Sequence, residues 1–335
     1  MAAAVEASSS PYVYTKKPPL AVDFDAKDRN YNMVDFRGVP QNPTFRVDEL
    51  ETLVTTFNSR PSDVFICTYP KCGTTWMQQI CHLLANGGEQ GETTMYATAP
   101  WIECLCAAPI LHEREANSFT LEAIEAKPQD APRFFKSHAN FLDLPTGGKS
   151  CKVIYVARNP KDTCVSMWHH AREKPEFNLN GGAPRPGSDD PPAPVPVCDD
   201  FGDFIHLFLG GKAECGSWFD HTLEWYAASL ADPNVLFLTY EDMVKDPKAC
   251  ISKVAAHVGI GNDEVTIDKV VVNSSMSSMK KSSGVYAGNV RQGGIGNWRK
   301  KIIENSPLNA MFDGVYYKQM RGTGLAFDFG DGLEM

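Results

Sequence analysis

Thr68-Tyr69-Pro70-Lys71-Cys72-Gly73-Thr74-Thr75-Trp76 is the stretch that decides how this chain folds. Before it stands Val64-Phe65-Ile66-Cys67, a short apolar run rich in β-formers, which predicts a buried strand. After it, Met77, Ile80, Cys81 and Leu84 recur at helical spacing through Ala85 and predict an amphipathic helix. The order is strand, tight loop, helix. Pro70 stiffens the loop, and Gly73 lets the backbone approach a ligand closely. The amides of Gly73, Thr74 and Thr75 then stand at a helix N-terminus, where unsatisfied N–H groups and the helix dipole favour an anion. Lys71 adds a positive charge on a long stem, and the hydroxyls of Thr74 and Thr75 add donors. The pattern predicts a phosphate cradle, but not a Walker A loop, in which lysine follows the last glycine. Here Lys71 comes two residues before Gly73. Read alone, the stretch also admits an ordinary strand-to-helix turn with a surface lysine.

Composition narrows the function classes. With 335 residues, 43% of them hydrophobic, the chain can bury a large core. A net charge of −9 argues against a nucleic-acid protein, whose footprint is basic. It leaves room for a local basic pocket that takes a small anion. The ten cysteines show no zinc-ligand spacing, and Cys67, Cys81 and Cys164 fall inside apolar runs. Buried free thiols in a reducing compartment are the expectation. The N-terminus carries no basic region followed by a long apolar run, and no stretch reaches transmembrane length, so the expected address is cytoplasmic, with no membrane partner.

Three further strands are legible. Arg133-Phe134-Phe135-Lys136-Ser137-His138 starts apolar, and alternation puts Lys136 and His138 on one side. A lone histidine near a strand end is more often structural than catalytic. Lys152 to Ala157 is a second β-run, and Arg158-Asn159-Pro160-Lys161-Asp162 turns from it into a helix, with Pro160 suited to the first turn. Arg158 and Ser166 can face one pocket if that helix packs on the sheet; the plain alternative is a helix start with a solvated arginine. Asn234 to Asp242 reads as another strand with a polar exit, in which Tyr240 could simply cap the next helix. Strands separated by helical segments imply an α/β fold: a single domain, its central sheet mainly parallel and flanked by helices on both faces, with a P-loop-like anion loop. Ligands bind such sheets at the carboxyl ends of strands. Lys71, Lys136, His138, Arg158 and Tyr240 all lie there and define one cationic pocket.

The remainder is organised around that unit. Residues 1–45 read as a mobile tail followed by loops and short strands, and residues 46–330 as the domain. Val47 to Phe57, Phe201 to Gly211, Ser217 to Leu230, Asp246 to Val258 and Asp263 to Val272 read as helices, and Gly87 to Ala99 as a loop. The aromatics between Trp218 and Tyr226, with His221 among them, read as core. Residues 175–200 are dense in Pro, Gly and Asp and predict a long insertion without regular structure, either a lid or an inert excursion.

The loop at 68–76 closely resembles the 5′-phosphosulfate loop of the cytosolic sulfotransferases, which usually reads Tyr-Pro-Lys-Ser-Gly-Thr-Thr-Trp. The resemblance runs over about residues 60–325. Lys136-Ser137-His138 stands where family members carry Lys-Thr-His, and Arg158 to Ser166 matches their Arg-Asn-x-Lys-Asp-x-x-x-Ser at every fixed position. What it implies is sulfonate transfer from 3′-phosphoadenosine 5′-phosphosulfate to a hydroxyl or amine of a small molecule, leaving 3′-phosphoadenosine 5′-phosphate and needing no metal. By the same resemblance His138 is the base, Lys71 steadies the leaving phosphate, and Lys136 holds the moving sulfonate. The loop from Lys71 through Cys72, Gly73, Thr74 and Thr75 cradles the 5′ group, Trp76 stacks on adenine, and Tyr240 hydrogen-bonds the nucleotide. Arg158 and Ser166 hold the 3′-phosphate with the Arg291-Gln292-Gly293 loop, while Ser275 and Met276 lie where the family packs an aromatic on adenine. Departures are plain: Ala139-Asn140 replaces Leu-Pro after the base, Met276 replaces the aromatic, Gln292 a lysine and Asn297 an aspartate. The Pro100-Trp101-Ile102-Glu103 stretch matches one near the family's acceptor pocket, and a surface loop with one packed tryptophan is its plain alternative. A homodimer is compatible with the resemblance, although the family's dimer motif is not recognisable in Lys300-Lys301-Ile302-Ile303-Glu304. Two other classes stay open: a nucleoside-triphosphate phosphotransferase with a variant loop, and a non-catalytic nucleotide binder of the same fold. The acceptor's identity is not written in loops of this kind.

Overall fold

A computed structural model describes residues 13–15, 33–107, 119–128, 131–146, 150–173, 200–261, 263–281 and 293–330. Residues 175–199 of the insertion read at 175–200, and Arg291 and Gln292, lie outside the described residues. A short antiparallel hairpin, β1 (Val34–Phe36) and β2 (Val39–Gln41), turns at Arg37-Gly38. The main sheet holds β3 (Val64–Thr68), β4 (Phe134–Ser137), β5 (Lys152–Ala157) and β6 (Val235–Thr239). Its order is β4-β3-β5-β6, with every pairing parallel.

Alternation along β3 explains the layers. Val64 and Ile66 join one core cluster, Phe65 and Cys67 the other. The first face is covered by Thr74–Ala85, Pro247–Val258 and Glu264–Asn273, through residues such as Ile80, Val254 and Ile267. The second is covered by Val47–Thr56, Pro160–Glu173, Phe201–Leu209, Trp218–Ala231 and Pro307–Met320, through Leu53, Trp168, Phe208, Trp225 and Phe312. A strand buried on both sides has no polar face, which is why β3 reads as an unbroken apolar run. Among the described residues no helix is long and apolar enough to cross a membrane.

Three local readings change. The loop expected at 87–99 contains the helix Met95–Thr98, whose N-cap Thr94 accepts from the Ala97 amide; one turn is too short to show a period. β6 stops at Thr239, whose hydroxyl accepts from the Asp242 amide, so Tyr240 is the first residue of the helix Tyr240–Lys245 and not its cap. Tyr14, in the segment read as a mobile tail, donates its hydroxyl to Asp220 at 2.9 Å, which ties it to the body.

The edge opposite the strand carboxyl ends carries a buried ion pair. Arg133 Nε and Nη2 donate to the two oxygens of Asp63, at 2.7 and 2.5 Å, and both side chains are excluded from solvent. Asp63 Oδ2 also accepts from the Arg60 amide. Removing one partner leaves the other charge buried and unmatched, so Asp63→Ala is expected to cost about 3–5 kcal/mol. Chemical denaturation reads this as a lower midpoint at unchanged slope. A loss below about 1 kcal/mol, the range of a solvated pair, would contradict the burial argument.

Candidate active site

Parallel register puts four strand ends on one rim. Cys67 pairs with Ser137, Thr68 with Val156, and Ala157 with Thr239. The loop after β3 rises from the middle of that rim. Lys71 and Gly73 both sit at positive φ, 71° and 104°. A lysine there is uncommon, and such strain collects at ligand clamps. At Gly73 a β-carbon would stand 2.9 Å from the Tyr240 ring, so both packing and φ require glycine. The helix Thr74–Ala85 that follows has no acidic residue in its first turn and no side-chain cap, leaving its leading amides for an anion. Thr74 spends its hydroxyl on Thr68 Oγ1 at 2.6 Å. The Cys72 side chain turns into the core beside Thr163, and burial pushes its thiol up to about 12. Of the cradle residues it can therefore contribute only its backbone.

His138 follows β4 at the neighbouring strand end. Its Nδ1 lies 2.8 Å from the Thr68 carbonyl, which can only accept. Nδ1 therefore carries the hydrogen and Nε2 keeps its lone pair. Burial, then the Lys136 charge, holds the ring well below the usual histidine pKa, so it is neutral near pH 7. Trp101 stands between two members of the site: the Lys136 ammonium is 4.0 Å from its ring centre, and the His138 ring meets it edge-on at 5.3 Å. Of the two readings of Pro100 to Glu103, the surface loop gives way: Trp101 is buried beside Lys136 and His138. Glu103 itself is buried, and its Oε1 accepts from the Ser137 hydroxyl and the His138 amide. Lys71 Nζ lies 3.4 Å from His170 Nδ1, on the helix Pro160–Glu173.

The third strand end holds Arg158. Its guanidinium lies 4.5 Å from the Tyr240 ring centre and donates to the carbonyls of Gly294, at 3.0 Å, and Lys71, at 3.4 Å. It thus bridges the β3 loop and the 293–294 segment. The Tyr240 hydroxyl accepts from the Gly294 amide, and a β-carbon at Gly293 would collide with Met276. Trp76 meets the Tyr240 ring edge-on at 5.6 Å. Trp76, Tyr240, Met276 and Gly293 therefore come together, as the sequence reading expects. Ser166 lies half-buried on the helix after Arg158. The Ser275 hydroxyl is engaged by its neighbours, accepting from the Ser278 amide at the start of Met276–Lys281. Two donors of this group, Arg158 Nε and Trp76 Nε1, are buried with no hydrogen-bond partner among the described residues.

Sequence reading missed the acids beneath this rim. Asp162 accepts from the amides of Gly296 and Trp298 and from the Asn159 side chain, which holds the 293–298 loop down. Glu241 Oε1 accepts from both nitrogens of Asn159. The run Arg158 to Asp162 is a signal for the first, but Glu241 follows a strand end like any surface acid. Burial raises the Glu241 carboxyl to about 7. A carboxyl raised on folding binds its proton more tightly folded than unfolded, so it loses stability as pH rises from the ordinary carboxylate range through 7. Glu241→Gln keeps the acceptor oxygen and cannot ionise. Its thermal midpoint should gain on the wild type between pH 5 and 8, and a constant difference would show that Glu241 does not titrate there.

The sulfotransferase domain family matches residues 61–324. Sulfotransferase 1C2 of Rattus norvegicus is 32% identical over 319 residues, covering 89% of this chain and 96% of its own. Sulfotransferase 1E1 of Bos taurus is 29% identical over 308 residues, covering 87% and 93%. Among solved structures, mouse sulfotransferase SULT7A1 complexed with PAP superposes with a TM-score of 0.65 at 27% identity, over 87% of this chain and 96% of that one. Retinol dehydratase, in a complex with retinol and PAP, shares the fold with a TM-score of 0.66 at 24% identity, over 82% and 86%.

Proposed function

The chain belongs to the sulfotransferase family, and we propose that the rim around Lys71, Lys136 and His138 is where it moves sulfonate from 3′-phosphoadenosine 5′-phosphosulfate to a small-molecule acceptor. The residues fit the donor. Amides of Gly73, Thr74 and Thr75 face the 5′ group, Arg158 and Ser166 take the 3′-phosphate with Gly293, and Trp76, Tyr240 and Met276 enclose the base. The orphaned nitrogens of Arg158 and Trp76 are the donors such an anionic nucleotide would satisfy. Arg291 and Gln292 belong to the same proposal by sequence.

Sulfuryl transfer is an in-line displacement helped by positioning and charge. The acceptor oxygen or nitrogen bonds to sulfur as the bond from sulfur to the 5′-phosphate oxygen breaks. That oxygen keeps the electron pair, and the acceptor's proton passes to Nε2 of His138. Lys71 offsets charge on the departing oxygen and Lys136 holds the sulfonate. The hydrogen bond from His138 Nδ1 to Thr68 carries the reading, because it aims a neutral, basic Nε2 away from the protein's own acceptor. The nine described cysteines are free buried thiols, which suits the reducing cytoplasm as this enzyme's address. Residues 46–330 are proposed as its catalytic domain, with the hairpin before it packed on the same core through Phe36.

Labelled donor offered with a panel of alcohols, phenols and amines tests the activity and finds the acceptor class. His138→Ala should cut transfer to a small residual rate and leave stabilisation by 3′-phosphoadenosine 5′-phosphate intact. Wild-type turnover in that variant would remove histidine from the chemistry. The base is the neutral ring and its pKa is depressed, so kcat/KM should stay flat as pH falls to about 6.5, the ordinary histidine value. Its acid limb lies below that point and should move upward in Lys136→Met, which removes a neighbouring positive charge. A limb centred above about 7 in the wild type would contradict the depressed pKa.

A further inference from the structure

His221 lies across the backbone from the base, and its ring is fully committed. It sits in the first turns of Trp218–Ala231 and is 1% exposed. Nε2 is 3.1 Å from the His138 carbonyl, and Nδ1 is 2.8 Å from the Tyr155 hydroxyl. The carbonyl can only accept, so Nε2 carries the hydrogen. Burial draws the ring's pKa down to about 4, which keeps it neutral, and Nδ1 then accepts from Tyr155. One turn further along the helix, Trp225 Nε1 donates to the Ala139 carbonyl at 3.1 Å. Spacing of four residues puts both donors on one face, so the helix grips two consecutive carbonyls of the loop after β4. Tyr155 is fully buried on β5 and stacks on Trp225 at 5.4 Å. Tyr69, from the anion loop, packs its ring edge against His221 at 5.5 Å.

The other side of the same loop is held equally. The His138 amide donates to Glu103, and the Ala139 amide to the Ser137 hydroxyl. Both peptide groups flanking the His138 α-carbon are thus tethered, and its side chain has one remaining task, the bond from Nδ1 to Thr68. Neither His221 nitrogen is left for a ligand, which excludes a direct chemical role.

We infer that His221, oriented by Tyr155, is a positioning residue that sets where His138 Nε2 stands relative to the anion loop. The inference rests on His138 being the base, as proposed above. A packing role alone would be met by any apolar side chain of similar size. A positioning role needs the N–H.

His221→Leu and His221→Gln separate the two, since the glutamine amide can offer one N–H at similar reach. Steady-state kinetics should show kcat falling about tenfold to a hundredfold in His221→Leu, with affinity for 3′-phosphoadenosine 5′-phosphate unchanged by calorimetry. His221→Gln should recover most of the loss. In a His138→Ala background, His221→Leu should remove nothing further from the residual rate. Wild-type kcat in His221→Leu would overturn the inference. So would a glutamine variant as slow as the leucine one, or a full further loss in the His138→Ala background. Full turnover by His138→Ala alone would instead remove the base itself, and is read without touching His221. Where His221→Leu does not fold, Tyr155→Phe keeps the stacked ring and deletes only the hydroxyl that orients His221. A several-fold drop in its kcat, with nucleotide affinity unchanged, supports the inference, and an unchanged kcat overturns it.

Discussion

Everything at this site depends on the alignment of β3 between its two parallel neighbours. Cys67 beside Ser137 and Thr68 beside Val156 bring the ends of β4 and β5 level with the end of β3. A slip of one residue would turn Val64 and Ile66 to the wrong core and carry Lys136 and His138 to the opposite face. The two unlike faces, one lined by Phe134 and aliphatic residues and one by Phe65, Phe135 and Tyr155, make such a slip costly. Packing on both sides of the sheet therefore sets how Lys71 on one loop stands relative to His138 on the next.

Much of this was open to reading from residues. β3, β5 and the helix after Gly73 announce themselves because each is a long apolar or periodic run. Lys71, Lys136, His138 and Arg158 follow, since strand ends in a parallel sheet meet at one rim. What was hidden is tertiary. Glu103, Glu241 and Asp162 look like ordinary acids until burial and backbone donors are known. His221 belongs to an aromatic run that reads as core, and it is core. Only its contact with a carbonyl eighty-three residues away makes it part of the site. Met95–Thr98 is one turn long and has no periodicity to detect.

The buried acids answer a question that net charge raises. The chain is acidic overall, yet its rim gathers Lys71, Lys136 and Arg158. Carboxylates facing these cations would compete with an anionic donor. Asp162 gives both oxygens to amides and to Asn159 and keeps a long ion pair, 3.7 Å, with Arg158, while Glu241 spends Oε1 on Asn159 and Glu103 spends Oε1 on Ser137 and His138. Each acid serves as an acceptor for main chain that would otherwise lack one. Two of the three are raised by burial, Glu103 upward from the usual carboxylate value and Glu241 to about 7. The supporting carboxyls are turned inward to main-chain and side-chain donors, and at Glu241 part of the charge is suppressed near pH 7.

The cations are arranged by the same logic. Lys136 lies over the Trp101 ring, and Arg158 over Tyr240. A ring attracts a cation without neutralising it, and Arg158 adds a long ion pair, 3.7 Å, to Asp162. It also donates hydrogen bonds to two carbonyls, of Lys71 in the loop after β3 and of Gly294, and so links those two segments. Aromatic faces and main-chain carbonyls are weak partners beside a carboxylate. Under the proposed function an incoming phosphate or sulfonate competes with these partners and, at Arg158, with the pair to Asp162, which at 3.7 Å is longer than a charged hydrogen bond.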